Sequence, residues 1–161
     1  MKKVATLGEI LLRLATPNKE RILQAKNFDA DYGGGEYNVA VSLSQFGVPT
    51  KFITALPDNA VGDAALNRIR GFGIDASSIV REGERMGLYF LEHGAAMRAS
   101  KVVYDRARSS ISEIKPGRID WSKAFEGVDW FHFTGITPAL SSSAAEVTSE
   151  ATSAAKDLGL T

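Results

Sequence analysis

The segment DYGGGEYNVAVSLSQFG, residues 31–47, limits this chain more than any other stretch. Three consecutive glycines run through Glu36, Tyr37 and Asn38 into apolar residues with helical spacing. Val39, Leu43 and Phe46 fall at i, i+4 and i+7, which predicts one buried helical face. Gly47 stands where a glycine commonly closes a helix. Glycines before a helix permit unusual backbone angles and let another group approach the main chain. The helix start adds unpaired N–H groups and partial positive charge, suited to an anion or a polyol oxygen. Two phosphate loops are excluded by spacing: GxGxxG needs glycine where the chain has Asn38, and GxxxxGK[ST] does not occur. A plain glycine-rich turn and a ligand loop both remain open. Asn38 carries two donors and an acceptor in the first turn, fit to read a sugar hydroxyl or simply to cap the helix.

Around this segment the chain alternates strand and helix. KVATLGE reads as a buried first strand, followed by LLRLAT and then polar residues to Tyr32. KFITAL reads as a short strand, and a helix follows it with Ala65, Ile69 and Phe72 on its core face and Gly73 at its end. MGLYFLE and SKVVYDR, rich in β-branched and aromatic residues, read as antiparallel neighbours. In the second, Val102, Tyr104 and Arg106 share one face. Trp121 and Phe125 sit four apart on a short helix, and VDWFHFTG is a further apolar strand. Ser143 and Glu146 have capping-box spacing, opening a helix whose expected buried stripe is Val147, Ala151, Ala154 and Leu158. The order predicts an α/β fold. A helix on a sheet normally leads to a next strand, so 161 residues ending just past Gly159 are expected to be the front part of a longer chain.

Composition removes several function classes. Lys+Arg and Asp+Glu balance at 19 each, so no basic field exists to hold nucleic acid. No cysteine is present, which excludes disulfides, thiolate metal sites and a cysteine nucleophile, and fits a cytoplasmic location. No run approaches the roughly 18 apolar residues of a membrane span. His132 lies in an apolar strand and reads as a core histidine; with only His93 beside it in the composition, no histidine metal site follows.

GGGEYNVAVSLSQFG resembles the first signature region of the ribokinase-like carbohydrate kinases, the phosphofructokinase B family. The matching positions are Gly33, Gly34, Asn38, Ala40 and Gly47. GGxExN, Gly8-Glu9 after the first strand, GLYFLE, Tyr104-Asp105-Arg106 and HFTGITPALS at 132–141 resemble the 2-keto-3-deoxygluconate kinases within it. Glu36 replaces the small residue of the general signature, a departure shared with that subgroup, and Pro57 stands where the signature has glycine.

The resemblance implies a ribokinase-like, Rossmann-type three-layer α/β/α domain, incomplete here, with a small β-sheet lid. The lid strands would lie within 10–32 and 87–106, and two lids would pack in a homodimer. It implies ATP and Mg²⁺, both held mainly by a later half that also carries the catalytic aspartate. No catalytic residue is assigned within these 161, so the chain alone is expected to be inactive. Gly34 and Asn38 would contact a sugar acid, Tyr89, Tyr104 and Arg106 would reach it from the lid, and Ile136 would line the pocket. From the residues alone, the tyrosines also read as cross-strand packing and Arg106 as a solvated charge. A fructokinase or another sugar kinase of the family, and a non-catalytic sugar-binding domain, remain alternatives.

Overall fold

The computed structural model describes residues 2–161. Its centre is a parallel sheet of β4 (Thr50–Ile53), β1 (Val4–Leu7) and β9 (Trp130–His132), in that order. Strand alternation sends side chains to both faces, and both faces are covered. Ala5, Leu7 and Ile53 pack with Val147 and Ala151 of α5 (Ser142–Asp157), and with α3 (Ser110–Glu113) and α4 (Trp121–Ala124). Phe52 enters the other layer, with Tyr37 and Ala40 of α1 (Gly35–Gln45) and Ala65 and Ile69 of α2 (Ala60–Gly71). Two apolar layers around one sheet make a three-layer α/β/α fold, within the α/β class that the alternation predicts and as the family resemblance implies.

A second sheet stands apart from the first. Its order is β3 (Asp29–Gly33), β2 (Leu11–Ala15), β7 (Leu88–Glu92), β8 (Lys101–Asp105). β7 and β8 are antiparallel, with Tyr89 opposite Tyr104 and Leu91 opposite Val102. All five residues of β8 are exposed. The chain crosses between this sheet and the α/β body four times: at residues 8–10, 34, 82–87 and 106–109.

Several local readings need correction. KFITAL is not one strand: β4 ends at Ile53, and β5 (Ala55–Leu56) leaves β1 to pair with β6 (Val80–Arg81). α1 does not bury Val39, Leu43 and Phe46. Its buried residues are Glu36, Tyr37 and Ala40, and Phe46 is 84% exposed. Both faces of α1 carry apolar residues, so periodicity alone could not choose between them. Ser44, on the buried side, donates instead to the Phe72 carbonyl, 2.6 Å away. α5 is capped by Ser141, whose Oγ accepts from the Ala144 amide at 3.0 Å; Ser143 donates to the Ile114 carbonyl. The buried stripe of α5 is Ala144, Val147, Thr148, Ala151 and Ala155, while Leu158 lies past the last turn and is exposed. Beyond α5 the chain returns to the sheet: the Thr161 amide donates to Asp129 and the Phe131 amide to Thr161.

Asp75 ties the segment after α2 to the central sheet. Its carboxylate accepts from Lys3 Nζ and from the Ser77 amide, both at 2.9 Å. Burial works against the charged form, but the Ser77 hydrogen bonds and Lys3 outweigh it and hold the carboxyl at about 2. A carboxyl lowered in the folded state contributes stability above its unfolded value, and that contribution is lost as pH falls through the folded one. We expect Asp75→Asn to lower stability by about 1 kcal/mol at pH 6, discounted for partial exposure, and the two proteins to converge between about pH 4 and pH 2. Urea titrations across that range check this.

Candidate functional site

Where α1 meets the second sheet, the structure forms a cleft of about 210 Å³. Gly34, Asn38, Tyr89, Tyr104, Arg106 and Ile136 all line it, joined by Glu9, Leu11, Gly35, Glu36 and Val102. The six candidates thus converge from three sources: the N-terminal end of α1, the strands β7 and β8 with Arg106 directly after β8, and the loop after β9.

The glycines act mainly through space. None of Gly33, Gly34 and Gly35 adopts the left-handed conformation; the glycines that do include Gly47 and Gly73, at helix ends. A Cβ on Gly34 would lie 2.1 Å from the Glu9 carbonyl oxygen, and one on Gly33 would lie 2.6 Å from the Tyr89 hydroxyl. Two strands of backbone touch at Gly34, and a tyrosine fills the place of a side chain at Gly33. Gly35 is different: its nearest neighbour would be Ile136 Cδ1 at 3.9 Å.

Gly34 itself is the N-cap of α1, and no side chain caps the helix. Asn38 is therefore not the cap. It sits one turn inside, exposed, with its side chain on the cleft. The uncapped first turn supplies free N–H groups and the positive end of the helix dipole at the cleft floor.

Tyr89 and Tyr104 face each other across the strand pair, ring centroids 5.7 Å apart, and Tyr104 remains 59% exposed. They do pack across strands, and they also form one wall of the cleft. The Arg106 guanidinium lies 5.4 Å from the Tyr104 ring centroid, which restricts its plane. Arg106 is not a free surface charge. Its Nε donates to Glu9 Oε2 at 2.8 Å, and one Nη forms an ion pair with the same oxygen.

Two buried carboxylates complete the site. Glu9 is 3% exposed and accepts from the Ser109 hydroxyl at 2.6 Å. Burial pushes its carboxyl above the ordinary value, with Glu36 adding to the shift, against the pull of Ser109 and Arg106. Glu36 is 1% exposed and accepts from the Thr134 amide at 3.2 Å and from the hydroxyls of Thr134 and Thr137. It thereby anchors the loop that presents Ile136, itself 47% exposed. The roles of Ser109, Thr134 and Thr137 were not visible in the sequence, because their partners lie about 100 positions away. A carboxylate directly after a strand, at Glu9, and another in the first turn of a helix, at Glu36, were the available signals.

Among the described residues, no group of three or more His, Asp or Glu side chains gathers to hold a metal ion. Among them, no helix is long and apolar enough to cross a membrane.

Comparison with known proteins gives this cleft a context. A 2-dehydro-3-deoxygalactonokinase of Haloferax volcanii is 33% identical over 159 residues, covering 99% of this chain and 50% of that protein. A 2-dehydro-3-deoxygluconokinase of Thermoproteus tenax is 30% identical over 146 residues, covering 89% of this chain and 45% of that protein. The crystal structure of a 2-dehydro-3-deoxygluconokinase from Thermotoga maritima superposes with a TM-score of 0.97 and 49% identity, over all of this chain and 49% of the other. The chain spans about half the length of the relatives it matches. Residues 1–160 match the family described as pfkB family carbohydrate kinase. With a match over almost its whole length and a fold shared with solved members, the chain belongs to the pfkB family of carbohydrate kinases.

Proposed function

We propose that this chain forms the acceptor-binding part of a sugar kinase that transfers the ATP γ-phosphoryl group to a hydroxyl of 2-keto-3-deoxygluconate. The observation that carries the reading is the convergence of Asn38, Tyr89, Tyr104 and Arg106 on one cleft at the uncapped start of α1. A sugar acid offers hydroxyls and a carboxylate. Asn38 matches hydroxyls with both donors and an acceptor. The tyrosines offer an apolar face and a hydroxyl each. Arg106 offers a guanidinium, which pairs well with carboxylate. The named activities of the relatives, on 2-dehydro-3-deoxy sugar acids, support the same class.

In this reading the four-stranded sheet is a lid. Its closure over the acceptor would exclude water that competes for the phosphoryl group, and pairing of two lids would cover the exposed strand β8 in a homodimer. Kinases of this kind need ATP, Mg²⁺ and a base for the attacking hydroxyl. The described residues do not fit that part of the chemistry: no acidic cluster gathers for a metal, and Glu9 and Glu36 are engaged in structural bonds. We therefore assign this chain to binding and orienting the acceptor, and the base and nucleotide site to the remaining half of a protein the length of its relatives.

A second reading has one observation in its favour. Glu9 already pairs with Arg106, and Glu36 adds another carboxylate, so the cleft is not net positive. A neutral sugar, as for a fructokinase, suits that balance. A coupled ATP-consumption assay with 2-keto-3-deoxygluconate, fructose and ribose decides between them. It is run on this chain and on the product of the complete reading frame. We expect activity only in the longer protein and highest on the keto-deoxy acid. Preference for fructose would move the assignment to the second reading, and turnover by the 161 residues alone would overturn the division of labour.

A further inference from the structure

The four places where the chain passes between the α/β body and the second sheet meet at one residue, Glu9. It occupies the first crossing itself, between β1 and β2. At the second, Gly34 presses its backbone on the Glu9 carbonyl so closely that a Cβ would come within 2.1 Å. At the third, Gly87 faces the Glu9 carboxylate, where a Cβ would lie 2.7 Å from Oε1. At the fourth, Arg106 and Ser109 both donate to that carboxylate. Glu9 is almost fully buried, so its charge is a cost unless these partners meet it.

We propose that Glu9 is a positioning residue: by gathering the four crossings it fixes Arg106, on the sheet side of the cleft, relative to Gly34 and the start of α1, on the body side. The functional half of this inference rests on the sugar-acid reading above. Two of the guanidinium's nitrogens are committed to Glu9 and its carbon lies 5.4 Å from the Tyr104 ring centroid, so the group is held in place where it lines the cleft. A preset guanidinium loses less freedom when a carboxylate arrives. Glu9 thus acts through Arg106 without touching the acceptor's reacting atoms.

The test uses Glu9→Gln, Arg106→Gln and the double variant in the product of the complete reading frame, with 2-keto-3-deoxygluconate and fructose as acceptors. Glu9→Gln keeps the shape and loses the charge. We expect its KM for the acid to rise about tenfold with kcat within about twofold, and no comparable change for fructose. In the double variant the effect of Glu9→Gln is expected to vanish, because it acts through Arg106. Hydrogen exchange is expected to quicken at 8–11, 33–35, 85–88 and 106–110 in Glu9→Gln. An unchanged KM for the acid, a lowered one, or a full Glu9 effect persisting without Arg106 would overturn the proposal. If Arg106→Gln itself leaves the preference for acid over fructose intact, Arg106 is not the partner of the acceptor's carboxylate, and the functional half of the proposal fails with that role. Exchange then judges the crossings alone: faster exchange at all four supports their gathering by Glu9, and unchanged exchange rejects it. Should Glu9→Gln not fold, Ser109→Ala removes one donor and is expected to give the same pattern at smaller size; its silence would count against the proposal.

Discussion

Gly34→Ala is expected to destabilise the protein by about 3 kcal/mol, whereas Gly35→Ala, one position on, is expected to stay within about 0.5 kcal/mol of the parent. The two residues differ in what a methyl group meets. At Gly34 it meets the Glu9 carbonyl at 2.1 Å and the Ile10 Cα at 3.4 Å, both backbone, so no rotamer change relieves the clash. The crossing from β1 to β2 and the start of α1 must separate by about an ångström. At Gly35 the nearest atom is the far end of Ile136 at 3.9 Å, and alanine suits a helix better than glycine. Separation at Gly34 also moves the α1 N-terminus away from Arg106, so acceptor affinity is expected to fall with stability. Urea unfolding of the two variants, followed by acceptor titration, checks both parts. Equal stabilities for the two alanine variants would show that the chain relaxes freely at Gly34 and that the close backbone approach carries no constraint.

This pair also shows what the sequence could and could not convey. The GGG run announced a tight place before a helix, but whether its glycines serve turning, ligand approach or packing depends on partners far along the chain. Gly34 answers to Glu9 and Gly33 to Tyr89, and neither contact has a local signal. The strand readings were more direct. Period-two alternation puts Val102 and Tyr104 on one face with Arg106 just past the strand end, and all three line the cleft with Tyr89. Helix faces depended on which side the neighbours occupy. α2 has one apolar stripe, and Ala65 and Ile69 are fully buried as the spacing predicts. α1 has apolar residues on both sides, and Tyr37 and Ala40, not Phe46, meet the sheet. The pairing of Arg106 with Glu9 spans 97 positions. From the sequence, Arg106 could be judged only as a charge awaiting a ligand or facing water, because nothing local marks a buried carboxylate opposite it.

That pairing makes the chemistry of Arg106 the sharpest point in the proposed function. Replacing it with glutamine is expected to lower kcat/KM for 2-keto-3-deoxygluconate by about 30- to 100-fold in the product of the complete reading frame, and for fructose by no more than about threefold. The magnitude is that of one charge-assisted hydrogen-bonded contact, about 2–3 kcal/mol. The carboxylate of Glu9 keeps its bond from Ser109 in this variant, so the site does not lose all its structure with the guanidinium. Arg106→Lys separates charge from shape: an ammonium keeps the attraction but cannot hold Glu9 through two nitrogens and face the cleft with a third. It is expected to recover only part of the loss. If instead Arg106→Gln harms both acceptors alike, the residue serves the architecture of the crossings and not the acid, and the neutral-sugar reading gains the advantage. If it harms neither, Glu9 has neutralised Arg106 completely, and acidic acceptors must be recognised by the free amides of α1.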